Sequence, residues 1–336
     1  MFHNRVIKMR VFSLVGKACS SVAFALFFGL LAGVAHAAEV RSASTTNLAP
    51  LLTYSIKRPH AGDTDITYYL SRPKEKIDFP IVVLIGGSSD QNNAASITQF
   101  HRYFLRNFDA VGAAALTVEQ WGITEHAIDK KIFMAHYTRT QRLQDHRAVI
   151  EHIRRYPPRG WNGKLALLAV SEGGNIAVTL AADPNVPVSA TAIWSGAGDW
   201  SWRDELWAFM RQACSEESAK DEAECQNVST RQQFDSRLDE VFLHPSSQLY
   251  YSNMTNMYMS DAMTYPKPAY KNIHGKLLVV SGVRDTLIQS SDDFYKKAKQ
   301  AGVNITYWRI EDMDHSIRKR PELIERSFEW LKQQLQ

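Results

Sequence analysis

A serine standing where a buried strand turns into a helix is the strongest chemical signal in this chain. Residues 164–170 (KLALLAV) read as a strand buried on both faces, and Ser171-Glu172-Gly173-Gly174 follows before a helical stretch begins. A turn that tight lifts the Ser171 hydroxyl above the sheet and demands small residues two positions to either side. Ala169 and Gly173 supply them, although glycine is the usual occupant of the first position. The turn also aims the first amides of the helix, including that of Glu172, at any oxyanion beside the hydroxyl. Such a serine attacks acyl carbonyls. On these residues alone, a serine–glycine helix cap with no chemistry is the alternative.

Two residues further along complete an order. Asp285 follows the run Lys276–Val280, where a carboxylate can orient an imidazole, and His315 follows Ile305–Ile310. Ser, Asp and His thus come in that order, each just past a strand-like run, and in a parallel sheet those strand ends share one edge. Asp312 and Asp314 flank His315 too closely in sequence to bridge to it and read as loop charge. A second oxyanion donor is expected where Leu84-Ile85-Gly86-Gly87-Ser88 leaves a buried strand. Gly87 and Ser88 are both candidates, and a flexible strand-to-helix turn is the plain alternative.

The elements that must hold these residues alternate along the chain. Leu51–Arg58 and Asp65–Ser71 alternate apolar and polar residues around a turn at residues 60–63, as a hairpin does. Buried strands are expected at Ile81–Ile85, Ala113–Leu116, Lys164–Val170, Val188–Trp194 and Lys276–Val280, with Ile305–Ile310 last. The helix over 139–156 places Leu143, His146, Ile150, Ile153 and Tyr156 on one stripe, and that over 321–335 does the same with Ile324, Phe328, Leu331 and Leu335. Ser290 or Ser291 is expected to cap a helix that ends at Gly302. The fold class that follows is α/β, a mostly parallel central sheet flanked by helices. Residues 199–272 break the rhythm. Their aromatic and methionine content predicts a helical cap insertion with its own packing core, from which a few side chains line a substrate pocket.

Ala169-Val170-Ser171-Glu172-Gly173, Asp285 and His315, on α/β spacing over residues 51–335, resemble the α/β-hydrolase superfamily. The Phe79–Ser88 segment and Ser171-Glu172-Gly173-Gly174 look most like dienelactone-hydrolase-type enzymes, and equally like the catalytic domain of acyl-CoA thioesterases and bile-acid acyltransferases. Many of those relatives use a cysteine nucleophile, and the serine found here favours ester hydrolysis. The resemblance implies a Ser171–His315–Asp285 triad acting through an acyl-enzyme, with the amides of Glu172 and of Gly87 or Ser88 on the oxyanion. It implies no metal and no organic cofactor. Neither an HExxH sequence nor paired Cys-x-x-Cys ligands occur.

Charge and cysteine usage bound the rest. The chain has 336 residues and a formal charge of +4, but Arg5, Lys8, Arg10 and Lys17 carry that whole excess, leaving 35 basic against 35 acidic residues. A nucleic-acid partner is therefore not expected. The basic start, the apolar stretch Val22–Val34 and Ala35-His36-Ala37 read as a signal peptide over 1–37, with an irregular leader over 38–50. An uncleaved anchor is the alternative, because residues 18–37 are just long enough to span a bilayer. Cleavage leaves no stable membrane insertion and a periplasmic or extracellular protein. Cys214 and Cys225 are then expected to form a disulfide, with two free thiols as the alternative. Export disfavours CoA thioesters, and a small-molecule ester is the expected partner. Two other functions stay open. A serine peptidase of the prolyl-peptidase type would need an acid to grip a substrate amine, for which Glu119 is the candidate; a binding module would use the fold without the chemistry.

Overall fold

The computed structural model describes residues 50–336 apart from residues 60, 62, 74–77, 216–224, 226–228, 252 and 268. The expected signal peptide, and all of the leader but Pro50, lie outside the described residues. Eight strands form the main sheet: β1 (Leu52–Lys57), β2 (Asp65–Ser71), β3 (Phe79–Ile85), β4 (Ala114–Val118), β5 (Trp161–Val170), β6 (Ala190–Trp194), β9 (Lys276–Gly282) and β10 (Ile305–Ile310). Their spatial order is β1-β2-β4-β3-β5-β6-β9-β10. β2 runs antiparallel to both its neighbours, and every pairing from β4 to β10 is parallel.

Sequence accounts for this arrangement directly. All seven residues of β3 are buried, as a strand covered on both faces requires. Its alternate residues feed two cores. Ile81, Val83 and Ile85 pack with α4 (Arg139–Arg155), α5 (Gly173–Ala181) and α9 (Ile288–Gln300). Val82 and Leu84 pack on the other face with α1 (Thr98–Tyr103), α2 (Leu105–Val111) and α10 (Pro321–Leu335). Register then brings the strand ends together. Val170 pairs with Trp194, Trp194 with Val280, and Val280 with Trp308. The loops bearing Ser171, Asp285 and His315 all leave the sheet just past that row.

Between β6 and β9 the chain builds α6 (Trp202–Ala213), α7 (Arg231–Leu243), a short hairpin of β7 (Tyr250–Tyr251) and β8 (Met254–Thr255), and α8 (Asn256–Thr264). Their apolar side chains form a third core, and α3 (Lys130–His136) joins it through Phe133 and Met134, a contribution the sequence pattern did not single out. Cys214 and Cys225 form a disulfide with their Cα atoms 5.5 Å apart. Among the described residues no helix is long and apolar enough to cross a membrane.

Two expectations need correction. Neither Ser290 nor Ser291 caps α9, which starts at Ile288 with both serines inside it. The Ser290 hydroxyl instead donates to Glu205 and accepts from the Trp200 amide, tertiary contacts that no local pattern encodes. Tyr156 leaves the buried stripe of α4 and is 63% exposed. It is the C-cap residue, and the Pro157-Pro158 pair that follows disfavours helical backbone there.

Candidate active site

Ser171 sits in the left-handed region at φ 52°, a strained setting for a residue with a side chain. The surroundings hold it there. A Cβ on Gly173 would lie 2.6 Å from the carbonyl oxygens of both Ile85 and Gly86, and one on Gly196 would lie 1.9 Å from the carbonyl oxygen of Ser171. The elbow is thus wedged between the ends of β3 and β6, and only glycine fits at either contact.

His315 Nε2 stands 3.0 Å from Ser171 Oγ, and His315 Nδ1 stands 2.8 Å from Asp285 Oδ2. Asp285 Oδ1 accepts from the Leu287 amide, so the carboxylate is fixed at both oxygens. Burial alone lowers the basicity of His315, but the adjacent Asp285 carboxylate outweighs it and raises the imidazole above its ordinary value. Asp312 and Asp314 stay outside this chain, pairing with Arg320 and Lys319. Gly87 lies against Ser171, since a Cβ on it would be 3.3 Å from the serine's own Cβ, and Ser88 lines the cleft above the serine. Among the described residues the backbone N–H groups of Gly87, Ser88 and Glu172 donate to nothing. Those three unused donors border one hydroxyl.

The Glu172 side chain has a use of its own. Its carboxylate accepts from Arg139 Nε at 3.1 Å, Arg142 Nη1 at 2.5 Å, the Tyr137 hydroxyl at 3.2 Å and the Tyr258 hydroxyl. Burial pushes this carboxyl up, but the two guanidinium groups and the tyrosine hydroxyl outweigh that and hold it below the usual glutamate value. The same network reaches the loop after β3: Arg142 Nη2 donates to the Gly86 carbonyl at 2.6 Å, and the Ser89 amide donates to Tyr137 at 2.7 Å. The carboxylate beside Ser171 therefore anchors the strand end that carries Gly87 and Ser88.

The cleft over Ser171 is narrow, about 30 Å³ in volume. Trp202 and Phe209 come from α6, and Phe209 meets the His315 ring edge-to-face at 6.3 Å. The wall also carries Arg139 and Glu205, which the sequence pattern did not single out. Neither had a local signal, because each looks like an ordinary charge in the first turn of a helix. Glu205 accepts from Ser290 Oγ at 3.2 Å, and burial pushes its carboxyl up to about 7 against the opposing pull of Arg139. Glu119 is elsewhere. It is buried and accepts from Ser96, Tyr69 and the amides of Ile97 and Gln120, so it cannot grip a substrate amine in this cleft.

No family model and no curated protein matches the chain by sequence. Solved structures do match. A thermostable carboxylesterase cloned from a metagenomic library superposes with a TM-score of 0.56 at 16% identity, over 85% of this chain and 90% of that one. An esterase of Pyrococcus furiosus gives 0.55 at 14%, over 85% and 91%. The acylaminoacyl peptidase of Pyrococcus horikoshii gives 0.54 at 13%, over 84% of this chain but 40% of that longer one. The chain has the α/β-hydrolase fold.

Proposed function

We propose that this protein is an exported serine hydrolase that cleaves a carboxylic ester, with Ser171 as nucleophile, His315 as base and Asp285 as the acid that orients it. The reading rests on the unbroken hydrogen-bonded chain from Ser171 through His315 to Asp285 at the parallel sheet's edge. Ser171 Oγ attacks the acyl carbon as His315 Nε2 takes its proton, and Asp285 stabilises the resulting imidazolium. The tetrahedral oxyanion is received by the amides of Glu172 and of Gly87 or Ser88; losing one such donor costs about 3–4 kcal/mol of barrier. The alcohol departs with the proton from His315. Water, deprotonated by the same imidazole, then attacks the acyl-enzyme and releases the acid.

Supporting context comes from three sides. The structural neighbours named above are esterases and a peptidase, although a fold hosts many chemistries. The Cys214–Cys225 disulfide and the basic-then-apolar N-terminus suit an exported chain. The peptidase alternative loses Glu119, the acid it depended on. The test is labelling by a fluorophosphonate, followed by turnover of p-nitrophenyl esters against aminoacyl p-nitroanilides. Ser171→Ala is expected to abolish labelling and to lower kcat on esters by on the order of 10^4–10^6-fold. A folded wild type that is neither labelled nor active defeats the proposal. Turnover of anilides but not esters makes it a peptidase.

A further inference from the structure

Arg139 opens α4 with its side chain 5% exposed, and its Nε is taken by Glu172 Oε2. Among the described residues neither terminal nitrogen of that guanidinium has a hydrogen-bond partner, although the side chain forms part of the wall above Ser171. The guanidinium carbon lies 4.3 Å from the centroid of the Trp202 ring, which holds the fork in place. Charge counting points the same way. Arg139 and Arg142 share the one carboxylate of Glu172, which leaves a positive charge over in a buried cluster. Asp285 faces His315, and Glu205, the remaining acid on the wall, makes no ion pair with Arg139 among the described residues. Because burial pushes the Glu205 carboxyl up to about 7, near neutral pH it offsets only part of that charge.

The two terminal nitrogens of the Arg139 fork open onto the cleft, where acceptor oxygens of opposite charge can take both of them and offset the surplus charge. We infer that the Ser171 cleft takes esters that carry a carboxylate a few bonds from the scissile carbonyl, received by the two free nitrogens of Arg139. A guanidinium matches a carboxylate with two parallel N–H···O bonds, a geometry that an ammonium or an amide donor does not reproduce. This rests on the hydrolase reading and adds the charge of the substrate to it. Arg139 is then a specificity-determining residue for the reaction at Ser171.

The test compares charged esters with neutral partners of the same shape. On the acyl side, monomethyl succinate, glutarate and adipate are set against the corresponding methyl-ketone and primary-amide esters. On the alcohol side, 3-acetoxypropanoate is set against 4-acetoxy-2-butanone. Wild type is expected to favour the carboxylate by at least about tenfold in kcat/KM in one series, which also tells which side of the ester lies at Arg139. Arg139→Gln is expected to bring that ratio close to one, and Arg139→Lys to keep part of it. Because the readout is a ratio, a general loss from disturbing Glu172 cancels. Equal kcat/KM for charged and neutral partners in both series overturns the inference and leaves the hydrolase intact. A ratio that survives in Arg139→Gln, or a preference for the amide, overturns the role of Arg139's charge. No Ser171-dependent turnover of any ester overturns the hydrolase reading and the inference together.

Discussion

Glu172 and Glu205 are buried to the same degree, 6% and 7% exposed, on the walls of one cleft, yet burial acts on them with opposite results. Glu172 on the elbow accepts from two arginines and two tyrosines and is held charged. Glu205 on α6 accepts from one serine hydroxyl and is pushed up to about 7. Depth is common to both, so the donors within reach set the charge. The elbow side is a fixed frame, tied through Arg142 to the Gly86 carbonyl and through Tyr137 to the Ser89 amide. The α6 side is a wall whose charge varies across the neutral range.

Breaking the frame has the largest effect. Glu172→Ala strands two buried guanidinium groups and is expected to cost about 3–5 kcal/mol in urea unfolding, with ester turnover falling alongside. At pH 4.5, where its carboxyl is protonated, the same truncation at Glu205 is expected to cost about 1 kcal/mol, because Ser290 alone loses a partner there. If the two truncations prove equally costly, the contrast fails. That wall hangs from α6, whose C-cap residue Cys214 the disulfide ties to Cys225. Replacing both cysteines by serine is expected to lower stability by up to about 3 kcal/mol on the chain-entropy model, read as a lower Tm under otherwise identical conditions.

Glu205→Gln sharpens the comparison through pH. The folded carboxyl titrates above its unfolded value, so the folded state holds the extra proton; its stabilisation is complete below about pH 4.5 and is lost as pH rises through about 7. Glutamine carries no such loss. The variant is therefore expected to be more stable than wild type at pH 8, by on the order of 2–3 kcal/mol, and nearly equal to it at pH 4.5. Identical unfolding curves at pH 8 contradict a buried, uncompensated carboxyl. The smallest effect concerns His315, whose acid limb in kcat/KM is expected above pH 6.5, because the imidazole must be neutral to take the Ser171 proton. Glu205 contributes to that elevation, so Glu205→Gln should draw the limb toward lower pH.

The placing of Ser171, Asp285 and His315 together was legible because each follows a strand-like run, and a parallel sheet brings such run ends to one edge whatever lies between them. The Cys214–Cys225 pair was legible from its spacing and the signal-like N-terminus. Much less could be read where a side chain has more than one possible partner. Ser290 looked like a cap because serine favours caps, but Asp285 already receives the Leu287 amide and Ser290 is drawn to Glu205. Tyr156 fitted the helical period and failed at the prolines. Glu119 had the right type and a site-facing strand, and its carboxylate went to Ser96 and two amides.

The sequence by itself determined the order of strands and helices, the elbow and the row of loops above it, since these follow from periodicity and from glycine at contacts where a Cβ cannot fit. Tertiary structure alone decided that Glu172 anchors the loop after β3, that Arg139 lines the same cleft as the serine with its terminal nitrogens unbonded among the described residues, and that Glu205 titrates near neutrality. The Tyr258 hydroxyl on Glu172 comes from 86 residues away and the Ser290 hydroxyl on Glu205 from 85, and the charge state of a buried acid is the sum of such distant donors against the cost of leaving water.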